Sequence, residues 1–295
     1  MKRNELERGE EKDESGRGEA RILSIQDISC FGKCSLTVAL PILSACGIET
    51  AVLPAALLST HTGGFSGYTF KDLSEEMPKI AAHWKAEGIC FDAIYTGYLG
   101  SRRQIEYVKD IFRELLSKEG LRIVDPVMAD HGRLYRGFDE SFVEEMQTLC
   151  RSADILLPNI TEAALLSAMP YQEGVQSEAY IREMLERLGE IGSEAIILKG
   201  IMFDPDHLGV AVYETKKGSP RYYFRERYAD TAHGTGDCFA SVFCGALLRG
   251  ESMYAAAALA ADFVLDALKK TGKDPAHWYG VRFEKALPGL IAYFS

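Results

Sequence analysis

Six short apolar, β-branched runs alternate with helical patterns along most of this chain, and that alternation constrains its fold more than any other feature. The runs cover 21–26, 50–58, 91–97, 121–124, 154–157 and 195–198; helical periodicity covers 35–46, 71–87, 101–118, 139–150, 161–168 and 177–191. Strands and helices in this order assemble into a mostly parallel sheet with helices on both faces, because each crossover returns right-handed over one face. A three-layer αβα architecture is therefore expected. Gly47, Gly88 and Gly120 follow the first three helical stretches as C-terminal caps do, and Pro41 should kink the first helix or delay its start. The alternation then breaks. Residues 207–214 and 221–227 read as a hairpin around Lys216-Lys217-Gly218, and two long helices, 236–249 and 252–270, follow it; the second ends on Lys269, Lys270 and Gly272, which suit a helix C-terminus.

No linker rich in Pro, Gly or Ser divides the body, so residues 20–295 read as one domain. Residues 1–19 are charged and nearly free of large apolar groups, the composition of a disordered arm. The arm carries −2 and the body −8 of the net −10, an acidic balance that argues against nucleic acid or an anionic membrane as partner. Seven scattered cysteines, with no Cys-x-x-Cys pair and no apparent signal peptide, read as reduced thiols of a cytosolic protein. Cys238 reads as a small helix-packing residue, and Cys30 and Cys34, with no histidine cluster nearby, make an improbable zinc site.

The chemistry is concentrated in His233-Gly234-Thr235-Gly236-Asp237, just before an apolar helical stretch. Such a turn points backbone N–H groups at one spot, reinforced by the helix dipole, and so suits an anionic oxygen. An aspartate beside a phosphate site is repulsive unless it has work there. It has work if Asp237 takes a proton from a hydroxyl that then attacks the phosphate, which makes phosphoryl transfer to an alcohol the expected reaction.

Ligands of open α/β sheets bind at the carboxyl ends of the strands. There the sequence carries Gln26-Asp27, Ser59-Thr60-His61-Thr62-Gly63-Gly64, Thr96-Gly97-Tyr98-Leu99-Gly100, Asp125-Pro126-Val127-Met128, Asn159-Ile160-Thr161-Glu162 and Lys199-Gly200. Familiar nucleotide motifs fail. Phe31-Gly32-Lys33-Cys34 would need a glycine where Asp27 stands, and Gly234-Thr235-Gly236 has Phe239 in place of the third dinucleotide glycine. Asn159 and Glu162 also read as a helix N-cap and a first-turn acid, and Lys199 as a solvated lysine before Gly200.

These segments, in this order, resemble the ribokinase-like superfamily, and in particular its pyridoxal kinase branch; the resemblance runs from about Arg21 to Leu268. It implies an ATP-dependent kinase acting on the 5′-hydroxymethyl group of pyridoxal, pyridoxamine or pyridoxine. It implies Asp237 as general base and Gly234, Thr235 and Gly236 as the anion hole. It implies Asp125, Asn159, Glu162 and Lys199 near ATP, with Asp125 and Glu162 toward Mg²⁺ partly through water, and it leaves room for a monovalent cation such as K⁺. The 222–228 segment corresponds to a stretch beside the nucleotide. Asp27, Thr62 and Gly63 align with substrate-contacting positions; His61 and Tyr98 suit either pocket walls or packing, and the run 63–67 is glycine-rich enough to move as part of a lid. A homodimer is a further implication. Asp27 departs from the better-known pyridoxal kinases, which carry serine there, whereas hydroxymethylpyrimidine kinases of thiamine salvage carry an aspartate in this loop. That activity, and a non-catalytic ligand binder on the same fold, are the alternatives.

Overall fold

The computed structural model describes residues 20–228 and 232–295; the expected N-terminal arm lies outside them. In chain order the elements are β1 (Arg21–Ser29), α1 (Leu36–Ala45), β2 (Glu49–Leu58), β3 (Phe70–Asp72), α2 (Met77–Ala86), β4 (Phe91–Thr96), α3 (Arg102–Leu115) and β5 (Leu116–Val124). A two-residue hairpin follows, β6 (Ala129–Asp130) and β7 (Arg133–Leu134), then α4 (Glu140–Cys150), β8 (Ile155–Leu156), α5 (Ile160–Leu166), α6 (Glu178–Gly189) and β9 (Ala195–Ile201). The chain closes with β10 (His207–Glu214), β11 (Arg221–Glu226), α7 (Thr235–Leu248), α8 (Met253–Thr271) and α9 (Leu287–Phe294).

One nine-stranded sheet runs β11-β10-β9-β8-β5-β4-β1-β2-β3. Its centre is parallel, and β3 at one edge and the β10–β11 hairpin at the other are antiparallel. The strands alternate between two cores, as a period of two requires. Leu23, Ile25, Ile94, Leu156, Ile196 and Leu198 pack under α2 to α6, whereas Ile22, Ala93, Tyr95, Ile155 and Ile197 pack under α1, α7, α8 and α9. This is the expected three-layer αβα architecture. Among the described residues no helix is long and apolar enough to cross a membrane.

Two expected helices are shortened. The stretch 71–87 begins as strand, because Phe70, Lys71 and Asp72 pair antiparallel with the end of β2. The helix starts only at Met77, with Pro78 in its first turn, where a missing N–H costs nothing. The stretch 101–118 stops at Leu115, and Leu116 is already extended. Gly120 therefore lies inside β5 and caps nothing. Gly47 and Gly88, in contrast, take up positive φ just past their helices. Pro41 sits inside α1 without delaying it, since the helix starts at Leu36.

Candidate active site

β1 does not stop at Asp27. It continues to Ser29, and the register against β2 shifts between Gln26 and Ile28, so Asp27 sits on a β-bulge. Bulges re-aim side chains. Asp27 is buried, and its two oxygens accept the hydroxyls of Ser35 (2.5 Å) and Ser29 (2.9 Å). Burial raises its pKa, and those two bonds oppose the rise.

Gly234 caps α7 at φ +84°, where a Cβ would lie 1.7 Å from the Lys33 carbonyl oxygen. Only glycine tolerates both conditions. The close approach seats the N-terminus of α7 on the 30–35 turn and puts Thr235, Gly236 and Asp237 in the first turn of the helix. One Asp237 oxygen, Oδ2, accepts the Ser35 N–H at 3.0 Å. The other accepts no hydrogen bond among the described residues. Burial, with Asp125 and Asp27 adding repulsion, lifts the carboxyl to about 7, against the Ser35 bond and Lys199, which lower it.

On the nucleotide side of the expected site, Lys199 on β9 contacts Asp125, beyond the end of β5, at 2.6 Å (Nζ to Oδ2). Asp125 Oδ1 is buried without a partner. Burial raises Asp125 despite Lys199. Burial alone would lower Lys199, but Asp125 and Glu162 hold the ammonium above its ordinary value. Asn159 and Glu162 form a capping box on α5, the alternative reading of this pair, and Asn159 Nδ2 also donates to the Ala129 carbonyl. Glu162 is filled at both oxygens, accepting the Met128 N–H at 3.2 Å and the Asn159 N–H at 2.9 Å. Burial and Asp125 raise it to about 8. Lys199, for which the sequence leaves a solvated lysine as the alternative reading, is thus committed to an ion pair.

The remaining sequence-predicted residues divide. His61 is buried: its Nδ1 lies 3.1 Å from the Gly63 N–H and its Nε2 2.7 Å from the Tyr279 carbonyl, so both ring nitrogens are engaged and the ring is fixed in place. Gly63 lies against His233, and a Cβ there would come within 2.4 Å of the imidazole. Tyr98 is half-buried, and burial, then Asp27, raises its hydroxyl to about 12. Thr62 is exposed on the loop. On the 222–228 segment, Tyr222 and Phe224 pack against Phe203. Cys238 is fully buried, and burial pushes its thiol far above the ordinary value, which fits packing.

Sequence reading passes over two parts of the site. One is Ser35, which touches both Asp27 and Asp237. The other is the 274–281 segment. Trp278 packs at a tilt against Phe65 (centroids 4.5 Å) and Tyr279 against Phe31 (4.7 Å), forming with His61 and His233 an aromatic roof beside the glycine-rich run. Nothing in the local pattern marks either one. A lone serine before a helix reads as a cap, and the roof depends on contacts such as His61 to Tyr279, 218 residues apart.

A glycine turn at the start of α7 and acidic residues at the strand ends sit on a ribokinase-like αβα topology. The phosphomethylpyrimidine kinase family profile matches residues 42–280, and the chain belongs to the phosphomethylpyrimidine/pyridoxal kinase family. A Bacteroides thetaiotaomicron protein provisionally described as a phosphomethylpyrimidine kinase, crystallised with pyridoxal, is 37% identical with a TM-score of 0.87, over 92% of this chain and 96% of that one. Pyridoxal kinase from Lactobacillus plantarum is 33% identical with a TM-score of 0.85, over 93% and 97%. The hydroxymethylpyrimidine/phosphomethylpyrimidine kinase of Bacillus subtilis is 27% identical over 266 residues, 88% of this chain and 87% of that one.

Proposed function

We propose that this protein transfers the γ-phosphoryl group of ATP to the 5′-hydroxymethyl group of a B6 vitamer, with Asp237 as general base. The observation that carries this reading is the state of Asp237. One oxygen is anchored by a backbone N–H, the other is open, the pKa is near neutrality, and the glycine turn lies directly before it. A base held in this way accepts the hydroxyl proton as the oxygen attacks phosphorus. The N–H groups at the start of α7 face charge that builds on the transferring phosphoryl oxygens. Similarity to a pyridoxal kinase and to a protein crystallised with pyridoxal supports the vitamer as acceptor.

The donor set fits a hard cation bound mainly through phosphate and water. Asp125 offers one unpartnered buried oxygen, Glu162 has none to spare, and among the described residues no three acidic, histidine or cysteine side chains converge as a metal site. Asp125 would hold Mg²⁺, whose contribution is to neutralise phosphate charge, while Lys199 orients Asp125.

Asp27 and the family profile favour a second reading, hydroxymethylpyrimidine as acceptor. The test is an ATP/Mg²⁺ phosphorylation assay over pyridoxal, pyridoxamine, pyridoxine and hydroxymethylpyrimidine, with Asp237→Asn alongside. The highest kcat/KM is expected for a B6 vitamer, and preference for the pyrimidine transfers the assignment to the second reading. Asp237→Asn should lose at least about a thousandfold in kcat with ATP binding retained. Turnover by that variant at the parent rate removes Asp237 from the chemistry.

A further inference from the structure

Ser35 breaks two habits of a residue that begins a helix. An N-cap serine ordinarily takes an extended backbone and turns its oxygen back to a first-turn N–H. Ser35 instead has φ 57° and ψ −135°, and its side chain caps nothing. Non-glycine residues there are strained, and such strain persists only where the surroundings enforce it. What enforces it is visible. The hydroxyl donates to Asp27 Oδ1 at 2.5 Å, the N–H donates to Asp237 Oδ2 at 3.0 Å, and the carbonyl accepts the N–H groups of Val38 and Ala39, both at 2.9 Å. An antiparallel bridge from Ile28 holds the turn from behind. Each polar group of Ser35 is therefore committed, and the residue is 6% exposed.

We propose that Ser35 is a positioning residue that locks Asp27 and Asp237 into one rigid unit. The acid that faces the heterocycle and the acid that takes its proton are then set at a fixed separation. The two carboxylates repel one another, and a donor to each from a single residue offsets that repulsion at the required spacing. Anchoring Oδ2 also directs the open oxygen of Asp237 to the acceptor hydroxyl. This inference rests on the reading of Asp237 as the base.

The experiment is a double-mutant cycle of Ser35→Ala and Asp27→Ser, read as kcat and KM for pyridoxal in the full-length enzyme, with Asp237→Asn as reference. Ser35→Ala removes a bond to a charged group and should lower kcat/KM by about 10- to 100-fold. Because the hydroxyl acts through Asp27, the double variant should be no worse than Asp27→Ser alone. If Ser35→Ala does not fold at the assay temperature, Ser35→Gly removes the same hydroxyl with no backbone strain and carries the same expectation. Losses that multiply independently, or a hydroxyl deletion within twofold of the parent, overturn the proposal. With Asp237→Asn inactive, that outcome rejects Ser35 alone; with Asp237→Asn fully active, the base assignment itself has failed.

Discussion

Replacing Lys199 by methionine isolates the electrostatics of the proposed nucleotide side of the site. The two chains are similar in volume, so the main change is loss of the ammonium that contacts Asp125 at 2.6 Å. Asp125 is 3% exposed with one oxygen already unpartnered, so it cannot recover the lost partner from water. Breaking a buried pair in this way costs about 3–5 kcal/mol. The cost should depend on pH, and its sign follows from protons. Burial already raises Asp125 with Lys199 present, and without Lys199 the folded-state pKa rises further. Between the unfolded value and that raised value the folded protein binds the extra proton, so its stability increases as pH falls. Each group that takes up a proton over this range contributes up to about 1.4 kcal/mol per pH unit, or about 2.7 kcal/mol between pH 7.5 and 5.5. Urea unfolding of the ligand-free parent and variant at both pH values gives the difference directly, and contributions from groups that behave alike in the two proteins cancel. The variant should lose several kcal/mol at pH 7.5 and distinctly less at pH 5.5, and adding Asp125→Asn should recover much of the loss. An equal loss at both pH values, or none, would show that the contact carries no net charge compensation and refute the reasoning.

Two other expectations concern the turn and its acid. With Asp237 raised to about 7 and required in its ionised form, kcat/KM for the vitamer at saturating ATP should fall close to tenfold per unit below about pH 7; a profile flat from pH 8 to pH 5.5 contradicts this assignment. Gly234→Ala forces a Cβ against the Lys33 carbonyl oxygen at positive φ and should destabilise by about 2–5 kcal/mol in thermal or urea unfolding, with loss of turnover; a variant as stable as the parent excludes the close seating of α7 on the 30–35 turn.

The two-faced sheet was legible because its strands carry a hydrophobic period that burial enforces, and the strand-end residues follow from topology alone. The errors share one cause. Phe70-Lys71-Asp72 is an edge strand with exposed side chains, so no apolar period announces it, and its charges blended into the helix that follows. Residues 116–120 pass from helix to strand without a turn residue, which left Gly120 as the only visible punctuation and made it look like a cap. In both places tertiary pairing, not local preference, decides the backbone. Ser35 escaped for a related reason, since its positive φ is imposed by two aspartates that stand 8 and 202 residues away.

The oxygens of the site carry a final inference that composition could not. Asp125 raises both Glu162 and Asp237, Asp27 adds to the rise at Asp237, and Lys199 opposes it at Asp125, Glu162 and Asp237, an arrangement that is costly unless each acid is met locally. Asp27 is met by two hydroxyls, Glu162 by two backbone N–H groups, Asp125 by Lys199 at one oxygen and Asp237 by Ser35 at one oxygen. Among the described residues the carboxylate oxygens left without a partner are one on Asp125 and one on Asp237. A purely structural network would have closed the Asp125 oxygen as it closed those of Asp27 and Glu162, because an unmet buried acceptor costs about 1–3 kcal/mol, whereas the open Asp237 oxygen belongs to a half-buried residue. The proposed reaction needs those two positions open: one toward the cation that accompanies ATP, the other toward the hydroxyl that attacks it.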